Sequence, residues 1–305
     1  MSIWPALRYE EWRGTRDTLH AHTQVLGKLA AKLAPPQPQL QHAALRLTAR
    51  GWETAPLPSP DGSGSFGVAL DLHRDEAIVE HVDGRMHHVP LTPNRPVRDV
   101  TRDVLAAVDD VAGRVEIDPT PQETAWETPL DEDTDHTTYD PLQVAQYLQA
   151  ASRAAEVLAA LRAPYRGRST PVNAWWGAFD LAASLFSGRS AEPPSDDFIY
   201  RNSMDAQEIA VGWWPGDLRY PRPAFYAYAH PAPPGFAELQ PEPAASRWDA
   251  ELGEFVLDWQ HVIASDDPLA TALAFARSVT RVACAACDWD PGLAASLEGE
   301  PPPVR

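Results

Sequence analysis

The chain has 305 residues, 44% of them hydrophobic, which is enough for one large globular domain or two of ordinary size. Its formal net charge of -18 argues against nucleic acid and anionic membranes as general partners, because their phosphate groups would be repelled. Cys284 and Cys287 are the only cysteines, so the sequence has no disulfide framework and indicates a reducing, cytoplasmic compartment.

The sequence carries no clear targeting or cofactor signal. Its start, MSIWPALRYEEW, lacks the basic residues and apolar core of a signal peptide, and we expect no stretch long and apolar enough to span a membrane. The Cys-Ala-Ala-Cys pair has no further ligands at zinc spacing, so we interpret both cysteines as structural. We therefore expect a soluble protein without metal or cofactor, and the oligomeric state stays open.

The first predicted element is a helix over 10–33, in which apolar residues recur one heptad apart. His20 and His22 lie two positions apart and cannot share a helical face, which excludes them as a local metal pair. Because His22 lies on the apolar stripe, we interpret it as a buried core residue.

Several strand-like segments follow the first helix. Strands are predicted at 42–48, 51–56, 65–72, 77–82 and 86–91, a helix at 97–111 and a further strand at 114–118. Asp83-Gly84 predicts a hairpin turn between two of these strands. Gly62, Gly64 and Gly67 have the spacing of a dinucleotide-binding motif, but a strand rather than a helix follows them, so we predict a hairpin loop.

Residues 119–138 are acidic, contain proline and lack periodicity, which predicts a linker between an N-terminal half, 1–118, and a C-terminal half, 139–290. Asp131, Asp133 and Asp135 alternate as in a calcium loop, but His136 stands where that loop needs glycine. The segment is either a solvated acidic loop or one that folds His136 and an aspartate over a cleft. Residues 291–305 are predicted to be a disordered tail.

The C-terminal half repeats the order of the N-terminal half. A helix is predicted at 140–162, strands at 208–214, 224–230 and 254–259, and a last helix at 268–287. Helix, strands and helix in both halves predict an α+β fold with helices packed on antiparallel sheets, and suggest an internal duplication that residue identity is too low to demonstrate.

The central stretch, 168–189, holds two adjacent tryptophans and one carboxylate in an apolar run bracketed by arginines. We prefer a strand, in which Trp175 and Phe179 face the core while Trp176 and Asp180 form a concave floor. A helical interpretation also fits the spacing.

A second aromatic cluster lies in the strand AFYAYAH, where Tyr226, Tyr228 and His230 share one face. Together with Trp214 and the Trp176/Asp180 floor, these side chains could line a pocket for a small ligand, or could simply pack between the two halves. The candidate ligand-binding residues are Trp176, Asp180, Asn173, Arg168, Arg189, Trp214, Tyr226, Tyr228, His230 and Lys28. The candidate catalytic residues are Asp180, His20 and His230, with His136 as a further partner for Asp180.

Several segments together resemble the DUF5996 proteins, a bacterial family of unknown function. They are WPALRYEEWRGTRDTLHAHTQVLGK, DEDTDHTTYDP, STPVNAWWGAFDLAASLFSGR, GWWPGD, AFYAYAHPAPPGF and AELGEFVLDW, in order along nearly the whole chain. The resemblance implies a common fold but no activity. The family pattern has a histidine where Asn173 stands and another near Ala206, and both departures weigh against a histidine-centred site in this chain.

Three functions are compatible with the sequence. We rank first a binding protein whose Trp/Tyr-lined cleft holds a small molecule, because it needs only the residues present. The alternatives are an enzyme that uses Asp180 with a nearby histidine, and an interaction module whose tryptophans are exposed.

Overall fold

The structure, a computed structural model, describes residues 4–299, which divide into two compact units. The N-terminal unit comprises Leu7–Ser152 and Ala174–Asp180. The C-terminal unit comprises, among the described residues, 4–6, Arg153–Asn173 and 181–299. Helices and antiparallel sheets together confirm the α+β class.

The helices are distributed along the whole described chain. They are α1 (Tyr9–Leu33), α2 (Val97–Ala112), α3 (Pro141–Arg162), α4 (Phe198–Ser203), α5 (Trp259–Ile263), α6 (Pro268–Ala286) and α7 (Pro291–Ser296). The four long helices, α1, α2, α3 and α6, begin and end within two residues of their predicted bounds, because their apolar spacing and proline boundaries are strong signals.

The strands form two antiparallel sheets. They are β1 (Arg46–Leu47), β2 (Gly51–Glu53), β3 (Leu57–Pro58), β4 (Ser65–Asp71), β5 (Glu76–His81), β6 (Met86–Pro90), β7 (Asn173–Trp175), β8 (Asp180–Ser190), β9 (Ala206–Trp214), β10 (Ala224–His230), β11 (Arg247–Asp249) and β12 (Glu254–Asp258). One sheet has the order β1-β2-β4-β5-β6 with β3 on β4, and the other has the order β11-β12-β10-β9-β8-β7. The two sheets therefore differ in strand order.

The N-terminal unit packs α1 and α2 with the β1–β6 sheet. α2 lies against β5 and β6, and buries Val97, Val100, Val104 and Val108. The predicted hairpin forms between β5 and β6, with Gly84 at φ 92° in its turn. From Thr15 to Ala30, α1 is buried on all sides. The one exception in that span is Asp17, which is half-buried.

The C-terminal unit packs α6 against β9, β10 and β12. α6 corrects one expectation, because among the described residues it is a helix long and apolar enough to cross a membrane by length and composition. Its contacts with three strands and its buried residues Phe275 and Val279 identify it instead as a core helix of this unit.

The central stretch is not one strand. It forms β7 and β8 with a turn at 176–179 between them, and Phe179 takes the left-handed conformation at φ 59°. The predicted common face of Trp175 and Phe179 is therefore wrong, since the turn breaks the alternation on which it rested. The helical alternative is wrong as well.

Other boundaries also differ from prediction. Residues 114–118 alternate in exposure like a strand but pair with no strand in the structure, so the strand prediction is wrong. Residues 119–138 belong to the N-terminal unit, where Asp133 is fully buried. The predicted disordered tail begins with α7, and the part of it beyond residue 299 lies outside the described residues.

Candidate functional site

Four polar side chains follow one another at every fourth position of α1. They are Arg16, His20, Gln24 and Lys28, and each is at most 6% exposed. Residues four apart lie on the same side of a helix, so the four form one polar stripe. Because α1 is buried around its whole circumference, this stripe faces the interior of the N-terminal unit.

His20 is fixed through one ring nitrogen. Its Nε2 lies 2.9 Å from the carbonyl oxygens of both Trp176 and Gly177. A carbonyl oxygen only accepts hydrogen bonds, so Nε2 carries the proton and donates it. The other nitrogen, Nδ1, then presents a lone pair, and this buried atom has no hydrogen-bond partner among the described residues.

Gln24 holds the backbone around His20 in place. Its Oε1 accepts the N–H of Gln122 at 3.0 Å, while its Nε2 donates to the carbonyl of Gln122 at 2.8 Å and to that of Trp176 at 3.3 Å. The side-chain amide thus has a fixed orientation. Although its Nε2 is 3.1 Å from Nε2 of His20, both nitrogens are donors here, so this approach is not a hydrogen bond.

The surroundings keep His20 neutral. Burial lowers the pKa of His20 well below its usual value, and the positive charge of Arg16 lowers it further, against the two carbonyl contacts. A neutral imidazole whose lone pair has no partner among the described residues can accept a proton or a hydrogen bond from a ligand.

Aromatic rings enclose the His20 ring. Phe179 stacks on it at a centroid distance of 5.0 Å, and Trp126 meets it edge-on at 5.4 Å. Trp52 and Tyr147 each stack on Phe179, at 5.3 and 5.2 Å, and Trp52 Nε1 donates to the Tyr147 hydroxyl at 3.0 Å. These contacts fix the planes of the rings around His20.

A second histidine lies against Trp126. The ring of His136 is 4.6 Å from that indole, and its Nδ1 donates to Asp133 at 2.7 Å. The hydrogen bond to Asp133 raises the pKa of His136, although burial opposes it. Burial raises the pKa of Asp133, but the hydrogen bonds from His136 outweigh it, so the pKa of that carboxyl is lowered overall.

Two donors near these rings lack partners. Nε of Arg16 and Nε1 of Trp126 are buried, and neither has a hydrogen-bond partner in the part of the chain that the structure describes. The guanidinium carbon of Arg16 lies 5.4 Å from the Phe179 ring centroid, and its Nη1 donates to Asp17 at 2.9 Å. We define the His20 site as Arg16, His20, Trp126, His136 and Phe179.

Trp176, Lys28 and Asp180 belong to the same unit as the His20 site. Trp176 lies across Gly27, where a Cβ atom would come within 2.0 Å of the indole, and its Nε1 donates to the carbonyl of Ala43 at 3.0 Å. The ammonium of Lys28 is 5.5 Å from the Trp176 ring, and burial lowers the pKa of Lys28. Asp180 is buried at the start of β8.

The other predicted ligand-binding residues belong to the C-terminal unit. The register of β10 on β9 puts Tyr226, Tyr228 and His230 on one face, as the alternation predicts. Trp214 meets Tyr226 at 5.1 Å, and Tyr226 lies over Gly212, where a Cβ atom would approach it to 2.3 Å. These aromatic side chains are packed on the sheet and bury most of their surface.

The polar residues of the C-terminal unit have separate surroundings. Arg168 stacks on Phe186 at 3.8 Å, Arg189 is exposed near the end of β8, and Nε2 of His230 bonds the carbonyl of Glu192. Asn173 is buried, is the last residue of the Arg153–Asn173 segment of this unit, and begins β7. The structure therefore places the predicted residues in two sets, one in each unit.

Sequence reasoning missed several residues of chemical interest. Trp126 lay in the segment interpreted as a linker, and Arg16 and Gln24 were not considered, although their spacing from His20 was a usable signal. Glu208 on β9 was also missed. Burial raises the pKa of Glu208 to about 7, and Tyr228 donates to it at 3.4 Å.

Comparison with known proteins gives a family and nothing more specific. The model of a family described as a family of unknown function (DUF5996) matches residues 4–296. No curated protein and no solved structure matches the chain. Within residues 4–299, no group of three or more histidine, cysteine, aspartate or glutamate side chains is arranged to hold a metal ion.

Proposed function

Because the chain belongs to the DUF5996 family, whose description assigns no activity, we propose a function from the geometry: a soluble, cytoplasmic protein that binds a small molecule in the His20 site. The observation that carries this proposal is the set of unsatisfied atoms around His20. A buried lone pair on His20 and buried N–H groups on Arg16 and Trp126 have no partners among the described residues. Each such group costs about 1–3 kcal/mol unless a partner satisfies it.

These atoms define the chemistry of the ligand. It carries a hydrogen-bond donor for Nδ1 of His20 and an acceptor for the N–H groups of Arg16 and Trp126. The aromatic surroundings of these atoms favour a ligand with an apolar part beside its polar groups. A small molecule with a hydroxyl, amide or carboxyl group on an apolar framework fits this description.

The exposure of the tryptophans supports binding over protein interaction. The interaction hypothesis requires exposed tryptophans, whereas all eleven lie within the described residues and each is buried or half-buried. This distribution favours a small-molecule site enclosed within a unit over a tryptophan-rich surface that contacts another protein.

Native mass spectrometry of the untagged protein tests the proposal. We expect a mass excess that denaturation releases from the wild-type protein and that is lost or reduced in Trp126→Phe, which removes one donor but keeps an aromatic ring. Trp248→Phe makes the same chemical change in the C-terminal unit and is the control. Equal ligand mass in all three proteins contradicts the His20 site.

A second candidate function is acid–base catalysis at the same site. His20 and His136 both contact Trp126, and their surroundings move their pKa values in opposite directions. Paired groups with separated pKa values are the usual arrangement of a general base and a general acid. This candidate enzyme uses His20 and His136, whereas our hypothesis from the sequence used Asp180 and a nearby histidine. An enzyme is supported if denaturation releases two species related by one reaction and His136→Gln accumulates one of them.

A further inference from the structure

Three side chains of the N-terminal unit form a hydrogen-bonded series outside the His20 site. The hydroxyl oxygen of Ser63 lies 3.1 Å from Nε2 of His81. On the other side of the ring, Nδ1 of His81 lies 2.9 Å from Oδ1 of Asp83. Serine, histidine and aspartate in this order are the arrangement by which hydrolases activate a serine nucleophile.

Strand pairing brings the three residues together. His81 is the last residue of β5 and pairs with Phe66 of β4, so it lies beside the turn that precedes β4. Ser63 lies in that turn between Gly62 and Gly64, whose φ angles of 76° and 146° are accessible to glycine. Asp83 lies in the turn that follows β5.

The carboxylate fixes the tautomer of His81. The side-chain carboxylate of Asp83 only accepts, so Nδ1 carries the proton and the Nε2 lone pair faces the hydroxyl of Ser63. The backbone N–H of Asp83 and Nη2 of Arg85 are farther from Nδ1, at 3.3 and 3.5 Å, and the nearer, charged carboxylate decides the proton's position. This tautomer leaves Nε2 able to remove the serine proton.

Arg85 keeps the carboxylate ionised and oriented. Its backbone N–H and its Nε donate to Asp83 at 3.0 and 2.9 Å. The hydrogen bonds from Arg85 and from His81 lower the pKa of Asp83 to about 2. Asp83 therefore stays negative across the working range of a histidine base.

Asp61 contacts the nucleophile as well. It accepts the backbone N–H of Ser63 at 2.8 Å and also a hydrogen bond from the hydroxyl, and these bonds lower its pKa. The single proton of the serine hydroxyl thus has two alternative acceptors within reach, Asp61 and His81. Because its backbone N–H is already bonded to Asp61, a donor that commonly stabilises the oxyanion is engaged.

Access to the series is one-sided. The His81 side chain is 1% exposed, whereas Ser63 is exposed on its turn. Val82, next to His81, is an apolar side chain with 69% of its surface exposed. A substrate can reach the hydroxyl while the base stays shielded. Val82 borders Gly64, the residue after Ser63, where a Cβ atom would lie 3.1 Å from its Cγ2, so it offers an apolar acyl chain a contact.

We propose that Ser63, His81 and Asp83 form a serine-nucleophile site that hydrolyses activated esters with short apolar acyl groups. The Ser63 oxygen bonds to the ester carbonyl carbon while His81 takes its proton; the alcohol then leaves with that proton. Water attacks the acyl-serine, gives a proton to His81, and the proton returns to Ser63 as the carboxylic acid departs. The engaged N–H of Ser63 restricts the reaction to esters with good leaving groups.

An activated ester and a covalent probe test the proposal. We expect the wild-type protein to hydrolyse p-nitrophenyl acetate and to react with a fluorophosphonate, which loses fluoride and phosphonylates one serine. Peptide mapping is expected to locate the adduct on Ser63. Ser63→Ala is expected to abolish both reactions, and Ser65→Ala, two positions away, to retain them.

Two further variants examine the base. His81→Gln and Asp83→Asn are expected to slow ester hydrolysis by about 10²–10⁴-fold, the usual contribution of a positioned base. Circular dichroism checks that they fold, and Ser63→Ala, on an exposed turn, remains decisive if they do not. Hydrolysis by Ser63→Ala at the wild-type rate, or an adduct on any other residue, overturns the proposal.

Discussion

His20 and His136 contact the same indole ring, that of Trp126, from two different environments. His20 is fully enclosed and its protonated nitrogen faces two carbonyl groups, so burial lowers its pKa. His136 is partly exposed and its ring bonds the carboxylate of Asp133, which raises its pKa. The contrast shows that burial decides the charge of His20, whereas a hydrogen-bonded carboxylate decides that of His136.

Removal of the Asp133 carboxylate is expected to have the largest effect on stability and to remove the difference in pKa between His136 and His20. Asp133→Ala leaves two partly buried backbone N–H groups and the His136 ring without their acceptor, which costs about 3–5 kcal/mol of unfolding free energy. The pKa of His136 is expected to fall. Urea unfolding and an NMR titration of the imidazole measure the two changes.

Asp135→Ala is the matched control for that change. Asp135 is an exposed aspartate of the same loop, two positions from Asp133. If both variants lose the same stability, or if the pKa of His136 is unchanged in Asp133→Ala, the carboxylate does not determine the charge of His136.

Removal of the imidazole of His20 is expected to have the next largest effect. His20→Phe keeps an aromatic ring but leaves the carbonyls of Trp176 and Gly177 without a donor, at a cost of about 1–3 kcal/mol at about pH 7.5. The substitution also removes the contribution of His20 to the pH dependence of the unfolding free energy. Because the folded-state pKa of His20 is lowered, its contribution is present above the unfolded pKa of about 6.5 and is lost as the pH falls.

Unfolding measurements at about pH 7.5 and about pH 5.5 distinguish these effects. The wild-type protein is expected to lose more stability on acidification than His20→Phe does. An identical loss in both proteins would mean that His20 is protonated in the folded state.

Replacement of the shared indole is expected to have a smaller effect on stability. Trp126→Phe keeps a ring between the two histidines but fills less space, and it removes an N–H that has no partner in the described residues. The lost packing is therefore partly offset, and we expect a loss of about 1 kcal/mol. The pKa of His20 is expected to stay lowered, because burial and Arg16 are its main causes. If NMR titration shows that the pKa of His20 returns to its usual value, the indole of Trp126 alone shields His20 from water.

The smallest expected effect is that of His136→Gln. The His136–Asp133 pair is partly exposed, and glutamine can still donate to the carboxylate, so the change in stability is expected to be about 0.5–1 kcal/mol. Because the folded-state pKa of His136 is raised, its contribution is present below about pH 6.5 and is lost as the pH rises through the folded pKa. Thermal melts at about pH 6 and about pH 8.5 are expected to show this alkaline loss in the wild-type protein only.

The long helices and the hairpins could be predicted because their signals are local. The helix α1 was recognised from its apolar heptads, and the β5–β6 hairpin from Asp83-Gly84. The polar stripe of α1 was equally local. It was overlooked because polar residues are usually assigned to the solvent side of a helix, and only the burial of α1 on every side turns the stripe inward.

The remaining errors come from structure that no short window contains. The turn at 176–179 depends on Phe179 in a left-handed conformation, which its sequence does not favour. Trp126 could not be assigned to the site because its partners lie on α1 and in the 133–136 turn. The series of Ser63, His81 and Asp83 likewise exists only through the pairing of β4 with β5.

The route of the chain through the N-terminal unit has a consequence for its synthesis. Residues 174–180 are made after the rest of this unit, and they supply Trp176, which covers Gly27, and Phe179, which stacks on His20. On the ribosome, the first 152 residues emerge without these two rings. A nascent chain of that length therefore has an incomplete core, and a protein truncated at residue 152 should be a poor substitute for the intact unit in expression trials.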